Sequence, residues 1–213
     1  MIFPYAEKET DYLKTRDRRL GEVIDRIGRV ERECDTDLFS SVVHHIIGQQ
    51  ISTKAQATIW ARMNEKFGAV TAEKIDAAGA EDLQRLGMTM RKAQYIKDFC
   101  QKVASGGFDL AAVEKMSDSD ATAALVSLKG IGVWTAQMIL LFCLRRPDIL
   151  SFDDLAIQRG MRMVYRKTEI PRGFFESKRK RLSPCGSVAS LYFWAVAGGA
   201  IPELTDPKPK EKK

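Results

Sequence analysis

The chain has 213 residues, of which 45% are hydrophobic and 29% are charged, with a formal net charge of +6. This composition can bury a sizeable core, so intrinsic disorder is excluded for most of the chain. No apolar run approaches the roughly 18 residues that a membrane span needs, and the N-terminal stretch is acidic, unlike a signal sequence. We therefore expect a soluble, intracellular protein of the cytoplasm.

The positive charge is concentrated toward the C-terminus. Residues 1–150 contain 21 Lys/Arg and 21 Asp/Glu, whereas residues 151–213 contain 13 against 7. A basic run such as 178–181 suits a polyanion, although most runs of this kind are solvated basic turns. The end of the chain, 206–213, is predicted to be a flexible basic tail.

Metal-dependent chemistry is disfavoured by the scarcity of ligands. The four cysteines are far apart in the sequence, and the two histidines, His44 and His45, are adjacent. Neither a zinc site nor an iron–sulfur site has this spacing. We expect buried free thiols, as in a reducing compartment, and no bound metal.

Apolar residues recur at helical spacing through most of the chain, and alternating β-branched runs do not occur, so the pattern predicts an all-α fold. The predicted helices, in chain order, cover 38–48, 53–68, 71–78, 80–86, 90–104, 118–127, 133–144, 155–164 and 188–197. Thr53 and Gln56 fit a capping box at the second of these, and Ser117 and Asp120 fit another cap pair. The polar segment 167–183 is expected to be partly loop.

The stretch from Leu128 to Ala136 is the most specific feature. Gly130 and Gly132 allow a tight hairpin between two helices, and they let the backbone approach another molecule closely. The first amides of the next helix and its positive dipole end then form a phosphate site. The alternative is an ordinary helix–helix turn that ends on glycine.

Two adjacent carboxylates, Asp153 and Asp154, follow the hairpin, the second of them 22 residues after Gly132. They precede a predicted helix, where an aspartate is a common N-cap. From the residues alone, either aspartate can be a simple N-cap, and one carboxylate can cap this helix while the other faces a cleft.

A family resemblance emerges when these motifs are taken together. The segments Leu-Lys-Gly-Ile-Gly-Val-Trp-Thr-Ala (128–136) and Phe-Asp-Asp-Leu-Ala-Ile-Gln-Arg-Gly (152–160) closely resemble the helix-hairpin-helix DNA glycosylase superfamily. Within it, the chain looks like the 3-methyladenine DNA glycosylase II branch from about 38 to 199. Further matching segments are 46–52, 91–96 and 187–194. Several ordered motifs are a much stronger signal than any one of them.

The resemblance implies two helical lobes around a DNA-binding cleft. The central lobe would comprise 37–149 with the hairpin, and the terminal lobe would combine 1–36, with a first helix over 8–30, and 150–205. The implied partner is double-stranded DNA that contains damaged bases, bound by a monomer. No cofactor is implied, although backbone carbonyls of the hairpin can ligate a monovalent cation.

The resemblance selects Asp154 as the catalytic carboxylate, because the family's aspartate lies three positions before an apolar helix residue, here Ile157. Family members that also cut the strand carry a lysine where this chain has Trp134, so no Schiff base can form there. The iron–sulfur cysteines of the endonuclease III branch are missing as well. These departures imply a monofunctional enzyme of base excision repair, which hydrolyses alkylated purines from DNA and leaves an abasic site.

The base pocket implied by the resemblance is walled by Trp134 and Trp194, with Met138 and Tyr192 as less secure additions. An indole face attracts the cationic ring of an alkylated base that has been flipped out of the duplex. The alternative is that such tryptophans are core residues, which is their commoner role in apolar helices. Trp60 is assigned to the core.

The helix corner at Gln49, Gln50 and Ile51 corresponds to the family's wedge, which fills the hole left by the flipped base. Gln50 is the first choice among the three. The alternative is a helix-breaking polar pair with no DNA role. His44 and His45 are assigned to packing or to surface hydrogen bonds.

Phosphate contacts are expected from the hairpin and the start of the following helix. These residues are Lys129, Gly130, Gly132, Val133 and Thr135. Lys129 matches no nucleophile of the family and is assigned to phosphate or solvent. Arg91 and Lys92 are further candidates for phosphate contact. Two other functions stay open, namely a glycosylase for another damaged or mismatched base and a non-catalytic module that only binds DNA.

Overall fold

The computed structural model describes residues 1–207. Within this range the chain forms thirteen α-helices, and its only β feature is an isolated bridge between Ile2 and Glu33, which confirms the all-α prediction. The helices are α1 (Glu7–Arg16), α2 (Arg18–Ile27), α3 (Leu38–Gly48), α4 (Thr53–Phe67), α5 (Ala72–Ala77), α6 (Ala80–Gln84), α7 (Met90–Ala104), α8 (Leu110–Lys115), α9 (Asp118–Val126), α10 (Val133–Phe142), α11 (Leu155–Tyr165), α12 (Arg172–Leu182) and α13 (Gly186–Ala197). A bilayer would require a longer and more apolar helix than any described here.

Helices α1 and α2 replace the single helix predicted over 8–30, which was wrong. Asp17 separates them, because its extended backbone ends α1 and its carboxylate caps α2 by accepting from the Leu20 amide at 3.1 Å. The same carboxylate accepts hydrogen bonds from Lys178 Nζ at 2.6 Å and from the Tyr165 hydroxyl at 3.1 Å. The break is therefore stabilised by contacts distant in the sequence.

Two helices were not foreseen from the sequence. Helix α8 is only six residues long, and α12 occupies most of the segment 167–183 that was expected to be partly loop. Helix α12 buries only Phe175 and Leu182, so most of its positions are polar. With so few apolar positions the sequence predicts this helix only weakly, because its stability comes from packing against the rest of the protein.

One of the two predicted helix caps is confirmed and the other is displaced by one residue. At α9, the Ser117 hydroxyl accepts from the Asp120 amide at 3.2 Å, as predicted. At α4, the cap is Ser52 and not Thr53, and the Gln56 side chain bonds elsewhere. The helix itself has the predicted extent.

The helices divide into two compact units. The terminal unit contains Met1–Cys34 and the chain from Arg145 onward, and the central unit contains Asp35–Leu144. The hairpin and the helix corner belong to the central unit, whereas Asp154 belongs to the terminal unit. All four cysteines are free and buried, as expected.

The C-terminal segment is described only in part. Of the tail predicted over 206–213, residues 208–213 lie outside the described residues. Asp206 is described, and it accepts hydrogen bonds from the Arg162 guanidinium at 2.8 and 2.6 Å. This bidentate ion pair holds the pKa of Asp206 below its usual range.

The central unit is built around α3. The side chains of Val42, Val43, Ile46 and Ile47 are fully buried, and α4, α7 and α10 pack against this helix. A helix buried on most sides is held rigidly. The rigid helix therefore fixes the position of the corner that follows Gly48.

In the terminal unit, α11 and α13 pack closely because Gly160 has no side chain. A Cβ at this position would overlap the backbone carbonyl of Phe193. The close approach brings Asp154, at the start of α11, beside Trp194 in α13.

Candidate active site

The hairpin between α9 and α10 is closed by a tight turn. The Ile131 amide donates to the Leu128 carbonyl at 3.1 Å, and Gly130 has a φ of 85°. A Cβ at Gly130 would collide with the ring of Tyr95 in α7, so both backbone conformation and packing require glycine. Gly132 caps α10, and the space where its Cβ would lie is open. The backbone at Gly132 can therefore be approached from outside.

Lys129 connects the hairpin to α7. Its ammonium lies 2.7 Å from an Asp98 carboxylate oxygen, while Gln94 donates to the other oxygen at 3.0 Å. The hydrogen bond from Lys129 is the largest cause that lowers the pKa of Asp98. The phosphate contact predicted for Lys129 stays a prediction, and in the structure this lysine bonds Asp98.

The first turn of α10 is exposed, although the rest of the helix is apolar and buried. Val133 and Trp134 are 47% and 43% exposed, whereas Thr135 is buried. The first amides of a helix have no acceptor within the helix and lie at the positive end of its dipole. This end of α10 therefore suits an anion, and a contact from Thr135 would come through its backbone.

The corner between α3 and α4 is tied to the hairpin by a direct hydrogen bond. Gln49 Nε2 donates to the Gly130 carbonyl at 2.6 Å. Gln50 is exposed with a φ of 56°, and Ile51 is 37% exposed. The three predicted wedge residues therefore differ in their surroundings. Gln49 bonds the hairpin, whereas Gln50 and Ile51 are exposed to solvent.

The side chain of Lys92 points into the protein and not toward solvent. It is buried, and its ammonium donates to the carbonyls of Ile47 at 2.8 Å and Gln49 at 2.5 Å. These carbonyls lie at the C-terminal end of α3, where a cation is favourable. Burial lowers the pKa of Lys92. The phosphate contact predicted for Lys92 is wrong, because this side chain holds the corner from within.

A cavity of about 370 Å³ opens in the central unit beside the corner. Its walls include Gln49, Gln50 and Trp134, together with His44 and His45. The volume is within the range of small-molecule pockets. The cavity therefore brings the predicted stacking residue Trp134 together with His44 and His45, whose predicted role is packing or surface hydrogen bonding.

Both histidines are held in the neutral form. His45 Nδ1 lies 2.8 Å from the Ser41 carbonyl, and the His44 ring tilts against that of the half-buried Trp60 with centroids 5.1 Å apart. Burial lowers the pKa of each imidazole, so neither adds positive charge to the cavity at neutral pH. The sequence contained a signal for this, since His45 and Gln49 are four residues apart and share one helix face.

In the terminal unit, Asp154 is the N-cap of α11. Its Oδ1 accepts from the Ile157 amide at 2.8 Å and from the indole N–H of Trp194 at 3.1 Å. Asp154 is only 5% exposed, whereas Asp153 is exposed. Of the two aspartates, Asp154 is therefore the one that caps the helix, and its catalytic role stays a prediction.

This environment determines what the Asp154 carboxylate can do chemically. Hydrogen bonds from N–H groups reduce the cost of burying a carboxylate. In surroundings of low dielectric constant, such a carboxylate stabilises a nearby positive charge more strongly than it would in water. The hydrogen bond from Trp194 joins residues that are 40 positions apart, so no local sequence pattern predicts it.

The other two predicted pocket residues are packed in the interior. Met138 is 4% exposed and Tyr192 is 1% exposed, and the Tyr192 hydroxyl donates to the Gly28 carbonyl at 2.9 Å. Their place in a base pocket stays a prediction. The joint role of Trp134 and Trp194 also stays a prediction, because the two belong to different units.

The sequence matches a known family over most of its length. The profile of the HhH-GPD superfamily of base excision DNA repair proteins covers residues 43–184. The protein YfjP of Bacillus subtilis is 29% identical over 169 residues, which are 75% of this chain and 59% of YfjP. DNA-3-methyladenine glycosylase 1 of Schizosaccharomyces pombe is 28% identical over 181 residues, which are 81% of this chain and 78% of that protein.

A solved structure extends the similarity to the whole fold. The crystal structure of DNA-3-methyladenine glycosidase from Bacillus halodurans aligns with a TM-score of 0.86 and 31% identity, over 97% of this chain and 96% of that one. The chain therefore spans nearly the full length of this structure, although it spans only about three fifths of YfjP.

Proposed function

Since the chain belongs to the HhH-GPD superfamily of base excision DNA repair proteins, we propose that it is a monofunctional DNA glycosylase of the 3-methyladenine branch. It flips an alkylated purine out of double-stranded DNA, hydrolyses the glycosidic bond and leaves an abasic site. The names of the Schizosaccharomyces pombe relative and of the Bacillus halodurans structure support this substrate class. The protein acts as a monomer in the cytosol, a reducing compartment that suits its four buried thiols.

The observation that carries the proposal is the buried Asp154 carboxylate held by Trp194. A purine alkylated at N3 or N7 is already cationic, so it departs with the bonding electron pair as a neutral base and needs little help from a general acid. The sugar is left as an oxocarbenium-like cation. Asp154 opposes this charge and orients a water, whose oxygen bonds to C1′ while its proton passes to the carboxylate or to solvent.

Binding to DNA is assigned to the central unit. The backbone at Gly132 and the first turn of α10 contact a phosphate, which positions the protein without reading sequence. Gln50 and Ile51, both exposed at the corner, fill the gap left in the duplex when the base is flipped out. Gln49 supports both elements through its bond to Gly130.

Recognition of a cationic base is assigned to the indole face of Trp134. Trp134 lines the cavity beside the corner, where His44 and His45 are neutral at physiological pH. A desolvated cation–π contact contributes up to about 2 kcal/mol. Trp134 also stands where strand-cutting relatives would need an amine, so the product is an abasic site and not a broken strand.

The test compares two adjacent aspartates as a matched pair. Asn caps a helix about as well as Asp, so Asp154→Asn should fold normally but release N7-methylguanine from methylated duplex about 10²- to 10³-fold more slowly. Asp153→Asn, at the exposed neighbour, should retain wild-type activity. Release is measured as free base and as heat-labile abasic sites, and the melting temperature of each variant serves as the folding control.

Other outcomes would favour the alternative functions. Wild-type release that Asp154→Asn retains would remove Asp154 from the catalytic role. Release only from duplexes that contain deaminated or mismatched bases would change the substrate class, and binding with no release from any duplex would identify a non-catalytic DNA-binding protein. A covalent complex trapped by borohydride would contradict the monofunctional mechanism.

A further inference from the structure

A dense basic cluster in the terminal unit takes no part in the mechanism proposed above. Two cavities, of about 430 and 310 Å³, share Arg18 and Arg19 in their walls. Other basic side chains extend the cluster on either side of this pair. We define the α2 basic surface as Arg18, Arg19, Arg26, Arg166, Lys167 and Arg181.

Few negative charges offset this surface. Arg18 pairs with Glu22 at 3.0 Å, and Arg26 pairs with Glu203 at 2.6 Å. Both pairs are largely exposed, and exposed pairs are weak because water competes for each charge. A third carboxylate, that of Asp17 in the wall of the second cavity, is buried and pairs with Lys178 outside the defined surface.

Four of the six cations have no carboxylate within 4 Å among residues 1–207. These are Arg19, Arg166, Lys167 and Arg181. Arg19 donates instead to the Tyr165 carbonyl at 2.5 Å, and Arg181 donates to the Arg16 carbonyl. Like charges held together with few counter-charges repel one another, and a bound polyanion would relieve that repulsion.

The shape of the surface favours an extended ligand over a single ion. The first cavity is lined by the buried side chains of Val23, Val164 and Ile201 together with four exposed arginines, namely Arg18, Arg19, Arg26 and Arg166. Planar guanidinium groups suit phosphate oxygens, which they bind in a bidentate manner. Because Arg18 and Arg19 are shared by both cavities, the positive charge continues from one to the other.

We propose that the α2 basic surface is a second contact for the DNA backbone, on the unit that lacks the hairpin. It binds undamaged duplex without reading sequence. The choice of DNA as the polyanion rests on the proposed function. Such a contact raises the affinity for undamaged DNA and makes association depend more steeply on salt.

The test removes two exposed charges from this surface and compares the result with an equal change elsewhere. The test variant is Arg18→Gln with Lys167→Gln, and the matched control is Lys8→Gln with Lys115→Gln, all of them at exposed positions. The dissociation constant for an undamaged duplex is measured between about 50 and about 200 mM salt. Melting temperatures establish that each variant is folded.

Two lost phosphate contacts should make the slope of log Kd against log salt shallower by about 1.8, and should weaken binding roughly 10- to 50-fold at about 0.1 M salt. The control should keep the wild-type slope and affinity. Base release from methylated duplex at saturating enzyme should be unchanged in the test variant, because Asp154 and the hairpin are intact.

An unchanged slope in the test variant would overturn the proposal. If the wild type but not the test variant also bound a polyglutamate peptide, the surface would be reassigned to acidic protein partners. Failure of the proposed function gives a different result, namely no base release by the wild type. The slope measurement does not depend on that result, since it uses undamaged DNA.

Discussion

The hairpin with its corner and the carboxylate site at Asp154 are built in opposite ways. In the first region, the groups proposed to contact DNA are backbone amides and exposed side chains, braced by the bond from Gln49 to Gly130. In the second, a buried carboxylate is held by Trp194, and the two helices concerned meet through Gly160.

The chemistry proposed for each region accounts for the difference. A phosphate is bound by the positive end of a helix at the protein surface, and this needs only a short turn of the right backbone conformation. A carboxylate that opposes a forming cation acts most strongly when it is removed from water. Only tertiary packing can shield Asp154 in this way, so the second region should be far more sensitive to changes in packing.

The largest expected effect is that of Gly160→Ala on stability. The added methyl group would overlap the Phe193 carbonyl, so the helices must separate, at a cost of about 3 kcal/mol. The melting temperature should then fall by about 6–12 °C. The control is Gly173→Ala in α12, where a Cβ meets open space and helix propensity predicts a slight gain in stability. Equal melting temperatures for the two variants would contradict the close packing of α11 on α13.

The next effect concerns the hydrogen bond that Trp194 donates to Asp154. Trp194→Phe retains an aromatic ring but removes the N–H donor. A hydrogen bond to a charged group contributes about 1.5–3 kcal/mol, so base release should slow roughly 10- to 100-fold. Single-turnover release of N7-methylguanine measures the effect, and Trp60→Phe in the central unit is the control. Wild-type rates in Trp194→Phe would mean that the indole is not needed to hold the carboxylate.

A smaller effect is expected from the brace in the central unit. Gln49→Ala removes the donor to Gly130 and should loosen the hairpin against the corner. A neutral hydrogen bond contributes about 1 kcal/mol, so affinity for duplex should fall by about fivefold while the rate at saturating enzyme stays close to wild type. Asn64→Ala removes another amide-to-carbonyl bond of the same unit, at 3.0 Å, and should leave DNA binding unchanged. A lower rate with unchanged affinity would contradict a bracing role.

The smallest effect is a pH dependence in the central unit. The pKa of His45 is lowered from 6.5 by burial, so below pH 6.5 the unfolded chain binds a proton that the folded chain does not. Stability should therefore fall as the pH decreases from about 6.5, by less than about 1 kcal/mol over the first pH unit. In His45→Gln, urea unfolding should show a shallower pH dependence over this interval. An unchanged dependence would show that other groups account for it.

Local sequence patterns were sufficient to predict many of the helices. Helices α3, α7 and α10 were predicted close to their observed bounds because each has apolar residues at helical spacing, with glycine, serine or threonine near its ends. The predictions failed where distant contacts decided the outcome. Asp17 ends a helix that local pattern would continue, because Lys178 and Tyr165 hydrogen-bond its carboxylate.

In the candidate site, too, some features could be predicted from local sequence and others depend on distant contacts. The hairpin, the corner and Asp154 could be selected as candidates from the sequence, since each lies in a short contiguous motif whose residue types are constrained by backbone geometry or shared with a family. The packing of the helices, and no local motif, turns Lys92 inward, brings two histidines to the cavity at the corner and places Trp194 against Asp154. Burial and hydrogen bonding depend on which helices meet, and those partners lie tens of residues apart in the chain.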